Sequence, residues 1–462
     1  MDFRMGVWAM KLRSFNFIAL AVILTTLALY PLILLVYCQG AEVNELERKL
    51  IDLDILRSTF IWYVENFYLV LLCATVGLLL IYLMSIRRKL KKLQITILFL
   101  VLSSQALALA YAGSNVSIHA NEKLAFSMKP LVDRVIIVVF DGTGNDAFWK
   151  NVEFIKSMLP ESCRAERAVT VYPTITYPAH TSLFTGTYPQ VHGVKENVQR
   201  KLSVDDIFLV AAREGLKSML VGGPFLKMFM RDIRIKVISG FFEPEDVYQR
   251  FIENVDKIRP SIIYLHFAAP DEVGHAFTTE SPEYAAAIKR CDHLVKEIVD
   301  FIKRKGWSER TVVIVTADHG MYYNKHHNVY PPLVIETPLW IWGGVIRKNY
   351  TFAGCRIIDI TATVCMLLGL PKPEQCQGIP VYDILSDEAI ERMGMNRESI
   401  EEMRVSELKS AINWLFMENL FYGEISLLMT WIPLIILMLI IREIKKRRKL
   451  KETKQSLVVH EE

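Results

Sequence analysis

Three short apolar runs, each ending in acid or imidazole side chains, restrict the fold of this chain more than any other feature. Arg134-Val-Ile-Ile-Val-Val-Phe140 runs into Asp141-Gly142, Ser261-Ile-Ile-Tyr-Leu-His266 into Pro270-Asp271 and Gly274-His275, and Thr311-Val-Val-Ile-Val-Thr316 into Ala317-Asp318-His319-Gly320. Runs this short and rich in β-branched residues read as strands buried on both faces, the pattern of a parallel sheet covered by helices. In open α/β sheets ligands bind beyond the carboxyl ends of the strands. The pattern therefore brings Asp141, Asp271, Asp318, His275 and His319 to one sheet edge, a donor set suited to metal ions.

From Lys129 onward the alternation continues. Strands are expected at Arg134–Phe140, Ser218–Gly222, Ile233–Ser239, Ser261–Phe267, Thr311–Thr316 and Leu339–Trp342, and helices at Glu245–Ile258, Glu283–Lys305 and Asp359–Leu368. Strands alternating with helices of this length imply a doubly wound α/β sheet spanning residues 125–386. Residues 387–424 read as a helical linker whose many charges form a solvated face. Trp340 and Trp342 alternate on a strand and read as packing.

Hydrophobic residues make up 52% of the 462, and mean hydropathy is +0.25. The excess is gathered into blocks. Phe17 to Cys38, Phe67 to Ser85, Gln94 to Tyr111 and Ile425 to Ile441 lack a charged face, and the first three approach or exceed the length that crosses a hydrocarbon core of ~30 Å. The expected organisation is a cytoplasmic segment 1–16, three transmembrane helices within 17–111, the α/β domain, the linker, a fourth transmembrane helix at 425–441 and a basic cytoplasmic tail 442–462. Arg87, Arg88, Lys89, Lys91 and Lys92 between the second and third runs, and Arg442 to Lys449 after the fourth, belong on the cytoplasmic side. That leaves the α/β domain and the mixed-charge loop from Glu42 to Arg57 outside the cytoplasm, with both termini inside. The net charge of +4 resides mostly in these flanks, so membrane lipids rather than nucleic acid are the expected partners. Cys163, Cys291, Cys355, Cys365 and Cys376 fall in the external domain at no metal-ligand spacing and read as buried thiols, with a Cys355–Cys376 bridge as the alternative.

Between the first and second ligand pairs stands Tyr172-Pro-Thr-Ile-Thr-Tyr-Pro-Ala-His180, leading into a helix-like segment. Pro178 suits a first helical turn, so the Thr176 hydroxyl is placed at the positive end of a helix, where a developing alkoxide and an incoming phosphoryl group are favoured. A capping role for Thr176 is the plainer reading, and Thr174 is a lesser candidate nucleophile. His180 and His192 read as structural, His266 as a core residue or one that supports a ligand, and His119 and His293 as surface residues.

Taken in order, Asp141-Gly, Pro-Thr-x-Thr-x-Pro, Tyr188-Pro-x-x-His192-Gly193, Pro270-Asp-x-x-Gly-His275 and Asp318-His-Gly320 resemble the alkaline phosphatase superfamily, in particular its type I phosphodiesterase/nucleotide pyrophosphatase branch. The resemblance runs from about Arg134 to Leu385. It implies an alkaline phosphatase-like fold, two zinc ions and a phosphorylated threonine intermediate. By that resemblance Asp141, Thr176, Asp318 and His319 hold one metal, Asp271 and His275 hold the other, and Asn197 donates to the phosphoryl oxygens.

The remaining ligand departs from the nucleotide pyrophosphatase pattern, because no distant downstream histidine lies inside the domain. Glycolipid ethanolamine phosphate transferases of the same superfamily have a histidine shortly after Asp-His-Gly-Met. That spacing selects His327, with His326 in reserve, and Glu336-Thr-Pro-Leu-Trp-Ile-Trp-Gly343 resembles the transferases as well. The expected function is a membrane-anchored two-zinc phosphodiesterase or pyrophosphatase. The alternatives are a headgroup transferase acting on membrane glycolipids and a non-catalytic membrane module of the same fold. A sulfatase is excluded by the absence of a Cys/Ser-x-Pro-x-Arg motif.

Overall fold

The computed structural model describes residues 42–62, 129–240, 243–326, 329–419 and 440–446. The apolar runs 17–38, 67–85 and 94–111 lie outside these residues, as does 425–441 except for Ile440 and Ile441. Among the described residues no helix is long and apolar enough to cross a membrane. His119 and His327 also lie outside them.

The strands, in chain order, are β1 (Arg134–Phe140), β2 (Ser162–Val169), β3 (Ser218–Gly222), β4 (Ile235–Ser239), β5 (Ile262–Phe267), β6 (Thr311–Thr316), β7 (Glu336–Thr337), β8 (Leu339–Gly343) and β9 (Tyr350–Arg356). They form one mixed sheet. Its parallel part has the order β4-β3-β5-β1-β6, with Val138 of β1 opposite Leu265 of β5 and Val315 of β6. Beyond β6 the direction changes: β8 runs antiparallel to β6, β2 antiparallel to β8, and β9 parallel to β2. The strands that carry the acids are thus parallel, as expected, and beyond β6 the sheet is mixed.

Helices cover both faces. We label α1 (Thr176–Thr185), α2 (Pro244–Ile258), α3 (Ala269–Phe277), α4 (Pro282–Arg304) and α5 (Ile357–Leu368). Along β1 the side chains divide by the two-residue period of a strand. Val135, Ile137 and Val139 join the layer of α1 and α5, whereas Ile136, Val138 and Phe140 join that of α2 and α4. Burying each such side chain contributes roughly 1.5–3 kcal/mol, so a strand apolar on both faces is held in the middle of the sheet. β2 and β9 were not expected from sequence. Arg164, Glu166 and Arg167 hide the β2 pattern, and two of them are paired, Arg167 with Glu336 and Asp52, Glu166 with Arg48.

Those partners bring in the largest correction. The segment expected as a mixed-charge loop is a helix, residues 43–62, lying across β2 and β9. Leu46, Leu50 and Leu53 enter the main core, and Ile51 packs with Val169 and Ile335. Glu47 is buried, accepting from the backbone N–H of Ala353 and Gly354 and from Arg404 at 2.9 Å. Arg404 lies on a second helix, 397–419, in the stretch expected to present a solvated charged face; it is fully buried and also donates to the Pro380 carbonyl. Arg57 and Glu418 join the same two helices at 2.6 Å. Charged residues at these positions face partners rather than water because the two helices pack on the domain and on each other.

Candidate active site

The site forms where β1, β5 and β6 end. Asp141 follows β1, and its Oδ2 lies 2.8 Å from His266 Nε2 on β5. Gly142 turns the chain with φ +67°; a Cβ there would lie 2.6 Å from Asp271 Oδ1, so only glycine lets the two loops meet. The Gly142 N–H donates to Asp318 Oδ1 at 3.1 Å, as does the His319 N–H at 2.9 Å. Asp271 and His275 sit one turn apart on α3, with His275 Nε2 3.6 Å from Asp271 Oδ1.

Two groups of donor atoms gather there, and Asp271 belongs to both. One comprises Asp271, His275 and His326, the other Asp141, Asp271 and His319. In the first, each imidazole is anchored through Nδ1 to a backbone carbonyl: His275 to Asn324 at 2.9 Å and His326 to Thr174 at 2.9 Å. A ring that donates Nδ1–H to a carbonyl carries its lone pair on Nε2, the arrangement that orients metal-ligating histidines. The two Nε2 atoms stand 3.0 Å apart, and His326 Nε2 is 3.5 Å from Asp271 Oδ1. In the second group His319 Nε2 lies 3.5 Å from Asp141 Oδ1 and 3.3 Å from Asp318 Oδ2, its ring stacked on His326 at 3.9 Å.

The acids lack what would normally settle their charge. Asp141 Oδ1, Asp271 Oδ1 and Asp318 Oδ2 are buried without a hydrogen-bond partner. Burial, then the neighbouring Asp318 and Asp271 charges, raises the Asp141 carboxyl well above the usual range. Burial, then Asp318, pushes Asp271 up to about 8, and burial raises Asp318. Crowded, desolvated carboxylates facing imidazole lone pairs are what a divalent cation compensates, and the donor set fits zinc.

Thr176 opens α1. The residue at its N-cap is Ile175, whose side chain cannot cap; Asn197 does so from a distant loop, its Oδ1 accepting from the Tyr177 N–H at 2.9 Å. Thr176 is thus the first helical residue rather than a cap. That bond occupies the Asn197 amide oxygen, and the NH₂ is the amide's donor end. The Thr176 carbonyl accepts from His180 Nδ1 at 2.8 Å, and the same nitrogen is 3.4 Å from Asp318 Oδ2. Thr174 is buried, its hydroxyl donating to the His326 carbonyl. The loop holding Thr174 and Thr176 therefore reaches both donor groups.

Of the residues expected at the site, Asp141, Asp271, His275, Asp318 and His319 are brought together, and Asn197 lies beside Thr176. Among the described residues the histidine that joins them is His326, the reserve candidate; His327 lies outside them. His266 supports Asp141 as expected of a residue behind a ligand. His192 is structural: its ring contacts Ser182 and the Val194 N–H, and burial lowers it to about 3. His293 is exposed, and the five cysteines of the domain are buried free thiols. The carbonyls of Thr174 and Asn324, which orient the two imidazoles, had no signal in the sequence.

Residues 135–244 and 227–339 match the profile of the type I phosphodiesterase / nucleotide pyrophosphatase family. An uncharacterised pyrophosphatase/phosphodiesterase of Schizosaccharomyces pombe is 25% identical over 40% of this chain and 44% of its own length. The catalytic subunit of human GPI ethanolamine phosphate transferase 2 is 24% identical over 55% of this chain and 28% of its own. The chain thus spans less than half the length of either relative. Murine ectonucleotide pyrophosphatase/phosphodiesterase 5, solved as an inactive variant with AMP, covers 55% of this chain and 100% of its own at 17% identity, with a TM-score of 0.47.

Proposed function

Because the chain is a nucleotide pyrophosphatase/phosphodiesterase-like protein of the alkaline phosphatase superfamily, we propose that it is a metal-dependent phosphodiester hydrolase with Thr176 as its nucleophile. One observation carries the reading: six donor residues converge beside a helix N-terminus whose first residue is Thr176. Asp141, Asp318, His319 and Thr176 would hold one zinc ion and Asp271, His275 and His326 the other. The paired ions would activate the hydroxyl and offset charge on the transferring phosphoryl group.

The chain's own residues do the rest. The Thr176 oxygen forms a bond to phosphorus as its proton leaves, and the ester bond to the leaving alcohol breaks, that alcohol taking up a proton. Water then attacks phosphorus and gives up a proton, and as the bond to the Thr176 oxygen breaks that oxygen takes a proton back. The N-terminus of α1 favours the anion, and the Asn197 NH₂ donates to a non-bridging oxygen as negative charge builds. His180 ties the Thr176 backbone to Asp318, so nucleophile and ligand move as one unit. A second reading replaces water with an alcohol acceptor, giving a headgroup transferase. Participation of His326, eight residues after Asp318, and the similarity to the ethanolamine phosphate transferase favour it.

Thr176→Ala is expected to lower turnover of p-nitrophenyl-TMP by at least ~10³-fold while the protein still binds two zinc ions. Near-normal turnover in that variant refutes the nucleophile assignment. Product analysis with a labelled phospholipid donor and glycolipid acceptor separates water from alcohol as the second substrate.

A further inference from the structure

Five large apolar side chains stand out from loops around this site, each between 45% and 55% exposed: Phe277, Tyr322, Tyr323, Tyr330 and Leu333. Scattered exposed apolar residues are ordinary, whereas a cluster on one mouth marks a contact surface. Phe277 ends α3 two residues after His275. Tyr322 and Tyr323 occupy the turn before His326, tied to the end of α3 by the bond from the Thr279 N–H to the Tyr323 carbonyl. Tyr330 meets Trp62 edge to face at 5.5 Å.

Trp62 shows what the mouth faces. It is the last described residue of the helix 43–62, whose Ile61 packs on Tyr172, two residues before Thr174. The apolar run beginning at Phe67 starts five residues later, a reach of at most ~17 Å. If that run enters a hydrocarbon core behind a polar layer about 5–8 Å deep, Trp62 lies no more than about 12 Å from the headgroups. The last described residues of the helix 397–419 pack against the same helix, through Arg57 with Glu418 and Asn419 with the Leu53 carbonyl, and the fourth apolar run starts at Ile425. The last described residues before two of the apolar runs thus lie on one pair of packed helices, and Trp62 is beside the site. Tyrosine and tryptophan are the side chains that settle at a membrane–water interface. A nucleobase slot fits less well: the Tyr322 and Tyr323 rings meet at 83° and offer no parallel pair of faces.

We propose that the mouth of the site is held against a lipid bilayer, with Phe277, Tyr322, Tyr323, Tyr330 and Leu333 entering the interface, so that the phosphodiester acted on belongs to a lipid of that bilayer. The substrate part of this proposal rests on the phosphodiesterase reading; the docking part does not. The test uses the full chain in phosphatidylcholine/phosphatidylglycerol vesicles with a fluorophore at Tyr322→Cys, or at Glu309→Cys before the opposite end of β6. Spin-labelled lipid is expected to quench the first and not the second. Equal quenching at both, or none at either, overturns the docking. In the same vesicles, Phe277→Asp with Tyr322→Asp is expected to lower turnover of bilayer phosphatidylethanolamine by roughly tenfold, leaving bis-p-nitrophenyl phosphate turnover in solution unchanged. An equal loss on both substrates, or none on the lipid, overturns the substrate assignment. Absence of any turnover by the unsubstituted protein refutes the phosphodiesterase reading instead, and the quenching result still decides the docking.

Discussion

Replacing His326 by alanine is the perturbation that bears most directly on the site. In the structure His326 is buried, its Nδ1 donates to the Thr174 carbonyl at 2.9 Å, and its Nε2 stands 3.0 Å from His275 Nε2. Two anchored rings with lone pairs pointing at each other repel unless a proton or a cation lies between them. Zinc in four-ligand peptide sites is bound with about 10–16 kcal/mol, so one ligand is worth roughly 2.5–4 kcal/mol. At ~1.4 kcal/mol per factor of ten, His326→Ala should weaken binding at this position about 10²- to 10³-fold. His327→Ala, though favoured by motif spacing, should leave affinity unchanged. The assay is competition with a chromophoric zinc chelator on the purified full-length protein, with the bound ions counted. If His326→Ala binds two ions as tightly as the unsubstituted chain while His327→Ala loses one, the assignment of His326 is refuted.

Other outcomes follow from the same geometry. Asn197→Ala should lower kcat by about 10²–10³-fold with little change in zinc affinity; a change confined to KM would mean that the amide only binds substrate. Arg404→Met strands the buried Glu47 carboxylate and should cost roughly 3–5 kcal/mol, whereas the double variant with Glu47→Leu recovers most of it. Urea denaturation followed by protease susceptibility of the helix 397–419 reads the difference, and additive losses would contradict a direct pair. Burial pushes the Asp54 carboxyl from its ordinary 3.8 up to about 6. The folded state therefore holds a proton that the unfolded chain releases. Stability from this group is complete below pH 3.8 and is lost as pH climbs through about 6, a change of ~3 kcal/mol. Asp54→Asn should flatten that part of the pH–stability curve, and parallel curves would show that Asp54 is not its source.

Much of the site was legible because its physics is local. A strand buried on both faces reads as an unbroken apolar run, so β1, β5 and β6 were visible with the acids at their ends. Positions 141, 271, 275, 318 and 319 follow from being the next residues along. β2 was hidden because its partners are remote: Arg167 reaches Glu336 and Asp52, and Glu166 reaches Arg48, so its charges resemble a solvated loop until those segments fold over it. The helix 43–62 was missed for the same reason. Glu47 and Arg57 look like surface charges, and only the domain supplies the N–H groups and counter-charges that let them be buried.

Alone, the sequence determined a parallel sheet core, an edge lined with acids and imidazoles, and a threonine at a helix start. Periodicity and residue chemistry suffice for those, since each depends on neighbours along the chain. The tertiary structure brought His326 into the cluster. That placement depends on the turn in which Tyr322 pairs with Lys325 and on the Thr174 carbonyl, 152 residues away from His326, that receives its Nδ1–H. Spacing along the chain carries no trace of that bond, which exists only once the fold brings the two segments together.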